Sequence, residues 1–194
     1  MLNFFERLIR PFPADLPDQP PGKLYAFCRH YTRGMEIPLL FMTLTAAALA
    51  AIEVSLFGFL GQLVDWLSTQ QPDQLWEQQG DTLIGMSLLL LIGLPLLVFL
   101  HATIIHQALL GNFPMSIRWL AHRYLLRQSI AFYQNDFAGR IATKVMQTSL
   151  AVRETVLKLL DVLVYVSVYF SAMLLLIGQA DLRLMLPLLV WLAL

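Results

Sequence analysis

Apolar residues fall along the chain in four long runs separated by polar stretches. The first, from about Pro38 to Val64, is interrupted only by Glu53, and the second, Thr82 to Ile117, holds 36 uncharged residues. The third covers about 159–180, and the fourth opens at Leu184 and is still apolar at Leu194. A helix needs about 20 mostly apolar residues to cross a hydrocarbon core roughly 30 Å thick, because within lipid every backbone N–H and C=O must be bonded internally. The pattern predicts an all-α, polytopic helical membrane protein with spans at about 38–64, 82–117, 159–180 and 184–194. Eleven residues of helix after Leu184 rise only about 16 Å. The last carboxylate would then sit in hydrocarbon, so the chain reads as a fragment.

The second run as one helix is about 54 Å long, more than a bilayer needs. Beyond Pro114 it turns amphipathic: Ile117, Leu120, Ala121, Tyr124 and Leu125 share one face, with Arg118, His122, Arg123 and Arg127 opposite. After a break at about Gln134–Gly139, Ile141, Val145, Thr148 and Val152 repeat the helical spacing and lead into the third run. The expectation is a long helical hairpin standing off the membrane, its two arms being the extended ends of membrane helices.

Charge supplies the topology. Residues 1–36 carry five basic side chains and 118–158 carry seven, whereas 65–81 carry none and hold Asp65, Asp73, Glu77 and Asp81. Lys and Arg are retained on the cytoplasmic side. The N-terminus and the hairpin are therefore expected inside, and the acidic connection and the turn Gly178–Asp181 outside. A cleaved signal peptide does not suit a polar lead longer than 35 residues. Charged residues make up 13% of the chain, about half the usual share for a soluble domain. The 13 basic and 13 acidic residues cancel, which argues against a nucleic-acid partner. Cys28 is the single cysteine, so an internal disulfide or a cysteine-based zinc site is excluded.

The tip of the hairpin reads Phe132-Tyr133-Gln134-Asn135-Asp136-Phe137-Ala138-Gly139-Arg140-Ile141-Ala142-Thr143-Lys144-Val145. It resembles the first intracellular loop of the transmembrane domain of ATP-binding cassette (ABC) exporters. Gly139, Ile141, Thr143, Lys144 and Val145 match that family's pattern in order and spacing, and Thr148 stands where the family carries an acidic residue. The segment Lys23–Arg33 resembles the interfacial elbow helix that precedes the family's first span. The resemblance covers about residues 20–194 and implies a cytoplasmic segment with its elbow helix over 1–36 and the first part of an exporter transmembrane domain over 37–194. It also implies a second half-transporter, a second copy of the same chain, and a nucleotide-binding domain that carries ATP and Mg2+ outside this chain. The localisation it implies is a lipid bilayer, the bacterial inner membrane. Residues Gln134 to Gly139 would form a short helix docked on that domain, with Phe132, Tyr133, Gln134, Asn135, Asp136, Phe137, Ala138, Gly139 and Arg140 in the coupling contact. Gly139 would let the chain turn. No phosphate loop of the Gly-x-x-x-x-Gly-Lys-Ser/Thr type occurs in the chain, so no catalytic, cofactor-binding or metal-ligating residue is expected in it.

Glu53 is the one carboxylate deep inside a predicted span, Asp161 falling at the very start of the third. An intramembrane carboxylate is costly and faces a cavity or a partner, so it lines a translocation path, makes a structural hydrogen bond to a neighbouring helix, or emerges early into water. His101 and His106, five apart, point about 140° apart on an α-helix and cannot share a metal from one turn. Glu154, Lys158 and Asp161 read as a charge ladder on a helix surface. Tyr165 with Tyr169, and Ala46, Ala47, Ala50 and Ala51, suggest helix packing. The competing function is an ATP-independent polytopic protein, a secondary transporter or a membrane scaffold. Only Gly93 with Pro95 hints at the broken helix such transporters use.

Overall fold

The computed structural model of the protein describes residues 3–14, 19–69, 72–134 and 137–193, and among them there is no strand. The helices are α1 (Asn3–Glu6), α2 (Leu24–Tyr31), α3 (Glu36–Thr69), α4 (Pro72–Leu88), α5 (Leu94–Thr103), α6 (Asn112–Leu125), α7 (Ile130–Gln134), α8 (Ala138–Leu157), α9 (Leu163–Ala180) and α10 (Leu182–Ala193). π-Helical turns at Leu89–Gly93, Ile104–Leu109 and Lys158–Val162 link α4 to α5, α5 to α6 and α8 to α9. Leu75–Leu125 is thus a helix of 51 residues and Ala138–Gln179 one of 42, about 76 and 63 Å long. With α3 they make three helices long and apolar enough to cross a membrane, and the most apolar windows of the second and third bury none of their residues. So much outward apolar surface requires lipid or partner helices around it.

Two of the π-turns have a cause in proline. Pro95 has no N–H for the carbonyl four residues back, and just before it the Leu94 N–H reaches five residues back to the Leu89 carbonyl. Leu110 N–H bonds the Ile105 carbonyl at 2.8 Å, four residues before Pro114. The hint of a break at Gly93–Pro95 is therefore a widened turn in a continuing helix.

Several predicted boundaries shift. The polar stretch 65–81 is mostly helical: α3 runs to Thr69 and α4 begins at Pro72. The Ser68 and Thr69 hydroxyls donate to the Asp65 carbonyl at 2.9 and 2.7 Å in the last turn of α3, and Leu75 to Gln79 are mainly good helix formers. The turn at Gly178–Asp181 shrinks to Asp181, extended at φ −159°, whose carboxylate accepts the Arg183 N–H at 2.8 Å and caps α10. The break expected at Gln134–Gly139 ends before Ala138: Phe137 is extended and Gly139 lies inside the first turn of α8, so the chain does not turn there.

The chain divides into two compact units, Met1–Met42 with His101–Asp161, and Thr43–Leu100 with Val162–Leu194. In the first, α6 packs on α8. Phe113, Leu109, Ile117, Val152 and Val156 form a core with Tyr31, Met35, Leu39 and Met42. Each such side chain contributes about 1.5–3 kcal/mol when fully buried. Gly34, at φ 79°, takes the left-handed turn between α2 and α3 that a side chain would strain. Ile9 also belongs to this core, because the N-terminal segment is strapped along α6. Asn112 donates to the Glu6 carbonyl (2.9 Å), Trp119 Nε1 to the Pro13 carbonyl (3.1 Å) and Arg123 to the Ala14 carbonyl (2.9 Å). Phe12 meets Trp119 edge-on at 5.3 Å.

In the second unit α9 packs on α10, and Phe170 stacks on Trp191 at 6.0 Å. Leu176 of α9 lies 3.0 Å from where a Cβ on Gly58 of α3 would stand, so the absent side chain permits the approach. Ala46 and Ala50 are buried at helical spacing while Ala51 is exposed, which narrows the predicted alanine face.

Candidate functional site

The hairpin tip is built from the end of α6, the short helix α7 and the start of α8. A short helix spans Ile130–Gln134 and overlaps the one expected over Gln134–Gly139 only at Gln134. Asn135 and Asp136 lie outside the described residues. The three tip aromatics separate into two kinds. Tyr133 donates its hydroxyl to the Leu125 carbonyl at 2.6 Å, satisfying the open end of α6, and Phe132 packs edge-on against Tyr133 at 5.3 Å. They are 39% and 41% exposed, partly used in holding the turn. Phe137 is 81% exposed with the Arg140 guanidinium 5.9 Å from its ring centre. Gln134, Ala138, Gly139 and Arg140 are exposed around it.

Behind the tip lies a groove of about 240 Å³ lined by Tyr31, Tyr124, Phe132, Ile141 and Lys144. Burial pushes the Tyr31 phenol above its ordinary pKa, and the nearby Tyr124 adds to the shift. Arg118 and Ser149 tie α6 to α8 through a 3.0 Å hydrogen bond. The arrangement is a pair of packed helices whose tip presents Phe137 to solvent, with Leu126 and Ile130 also exposed in the turn beside it.

Glu53 is half-buried in α3, and the Tyr165 hydroxyl of α9 donates to its Oε2. Tyr165 stacks on Tyr169 at 6.0 Å. Of the readings of Glu53, the hydrogen bond to a neighbouring helix is observed. Spacing had marked the tyrosine pair and the carboxylate separately, and nothing in one dimension joins residues 112 positions apart.

The charge ladder at Glu154, Lys158 and Asp161 does not form. Glu154 meets Arg153 at 3.6 Å and Asp161 meets His101 Nε2 at 3.3 Å. The π-turn at Lys158–Val162 breaks the α-helical register between Lys158 and Asp161, whereas the Lys158 N–H still bonds the Glu154 carbonyl in α-helical register and the Glu154 carboxylate goes to Arg153 instead. The angle between His101 and His106 is likewise changed by the π-turn at Ile104–Leu109, and His106 is exposed.

Over all 194 residues the chain is 40% identical to a Haemophilus influenzae protein named an uncharacterized ABC transporter ATP-binding protein. That relative is named as an ABC transporter protein. The chain spans 31% of its length. No family model matches the chain, and no solved structure does. Three long apolar helices and this homology together point to a membrane protein.

Proposed function

We propose that this chain is the membrane-spanning permease portion of an ATP-driven ABC exporter. In this reading the N-terminus and the hairpin are cytoplasmic in the inner membrane, the partner half is a second copy, and ATP and Mg2+ bind in a nucleotide-binding domain outside residues 1–194. The hairpin acts as a lever. Its arms α6 and α8 are tied to each other by the Arg118–Ser149 hydrogen bond, so a displacement of the tip moves both arms together. The Phe132–Arg140 region makes the contact with the nucleotide-binding domain, and Phe137 is its anchor.

One observation carries the proposal: a phenylalanine ring is left 81% exposed at the end of helices far longer than a bilayer needs. A ring in water at the tip of a rigid element is what a docking pocket on a partner uses. The named role of the 40% identical relative supports the same reading. Glu53, held by Tyr165, serves on this reading as a polar tie between α3 and α9 beside the translocation path. The test is a photo-reactive aromatic residue in place of Phe137 in the full-length protein, with adducts mapped by mass spectrometry. Adducts in the nucleotide-binding domain are expected, and adducts confined to lipid or to the chain's own helices would overturn the reading.

A further inference from the structure

The first unit contains a second, larger cavity of about 510 Å³ that the lever does not use. Arg7 and Arg10 of the N-terminal strap, His30 at the end of α2 and Arg33 in the turn after it line its wall, with Ser116 of α6 beside them. Ser116 is only 3% exposed. Glu36, the carboxylate nearest to Arg33 along the chain, is taken by Arg29 at 3.0 Å. Among the described residues Arg7, Arg10 and Arg33 form no ion pair.

Guanidinium groups stay charged at every physiological pH. Arg7, Arg10 and Arg33 are exposed, so solvent screens much of their mutual repulsion, and an anion placed among them relieves what remains. The planar fork of arginine fits phosphate oxygens in pairs, and the volume suits a headgroup-sized ligand. The place in the chain indicates the source. Arg33 precedes α3 by three residues, and α2 leaves Leu24 and Tyr25 exposed beside its basic residues, a pattern suited to the headgroup layer.

We propose that this cavity is a binding site for a phosphate group, the group that anionic phospholipids present at that depth. The placement in the headgroup layer rests on the proposed reading of α3 as a membrane span. The strap over α6 then has a purpose: it brings Arg7 and Arg10 to the same cavity as Arg33.

The test uses full-length protein, wild type and an R7Q/R10Q/R33Q variant, with R127Q as a control because Arg127 is exposed and outside the cavity. Protein from phosphatidylglycerol–phosphatidylcholine nanodiscs is analysed for retained lipid by native mass spectrometry. A second arm, in detergent without a bilayer, measures binding of inorganic phosphate. Each arginine near an anionic surface is expected to contribute about five-fold, so R33Q alone should lose about five-fold and the triple variant about a hundred-fold, with R127Q unchanged. Selective retention of phosphatidylglycerol, lost in the triple variant, supports the site with lipid as its source. Phosphate binding in detergent, lost in the triple variant, supports the same site with free phosphate as its source, and it is readable even if α3 proves not to cross a membrane. Equal lipid retention by wild type and triple variant, with no phosphate binding, overturns the site.

Discussion

Phe137→Ala and Phe113→Ala make the same chemical change within one compact unit and should have opposite consequences. Phe113 is 0% exposed in the core and Phe137 is 81% exposed at the tip. Truncating a buried phenylalanine costs about 3–5 kcal/mol, from lost transfer energy and the cavity left behind. At position 137, among the described residues, the folded chain loses the exposed cation–π contact with Arg140, about 0.5 kcal/mol. If the ring docks in a pocket, burying it is worth about 2 kcal/mol, or roughly thirty-fold in the docking equilibrium. The assay is three measurements on the full-length protein: thermal unfolding, ATP turnover and substrate flux. Phe113→Ala should lower the unfolding temperature and the membrane level. Phe137→Ala should keep both and lose coupling between ATP turnover and flux. Full flux with unchanged turnover in Phe137→Ala would refute the reasoning, because it would show the ring to be an idle surface group.

Further outcomes follow from individual contacts. Tyr165→Phe removes the described donor to Glu53 and should cost about 1–3 kcal/mol in thermal unfolding; Glu53→Gln in the same background should recover part of it. Trp119→Phe removes the bond to the Pro13 carbonyl, about 1 kcal/mol, and should speed proteolysis within residues 3–14 without altering the rest of the chain. A cysteine at position 25, where Tyr25 is 83% exposed, should react in intact cells with a permeant thiol reagent and not with an impermeant one; equal labelling would reverse the proposed topology. The raised Tyr31 pKa means the folded state holds that phenol proton more tightly than the unfolded state. The stability it confers is present below about pH 10 and lost as pH rises through the higher folded value, so Tyr31→Phe should flatten alkaline unfolding in that range.

The all-α class and the three membrane-length helices were legible in one dimension because hydrocarbon enforces them: a long apolar run in lipid can satisfy its backbone only as a helix. The amphipathic faces of α6 and α8 were legible for the same periodic reason, and Ile117, Ile141 and Val152 are buried as their spacing predicts. Helix ends were less legible. Ser68, Thr69 and Asp181 act through hydrogen bonds to nearby backbone that composition does not reveal. The π-turns shifted the pairing of Asp161 from Lys158 to His101, an effect that α-helical spacing cannot anticipate. Above all, contacts between distant residues were settled only by tertiary packing. Glu53 finds Tyr165, Pro13 finds Trp119, and Arg7 and Arg10 come to line one cavity with Arg33. Periodicity reports which face of a helix is apolar, but polar partners more than a hundred positions apart are chosen by how the helices pack.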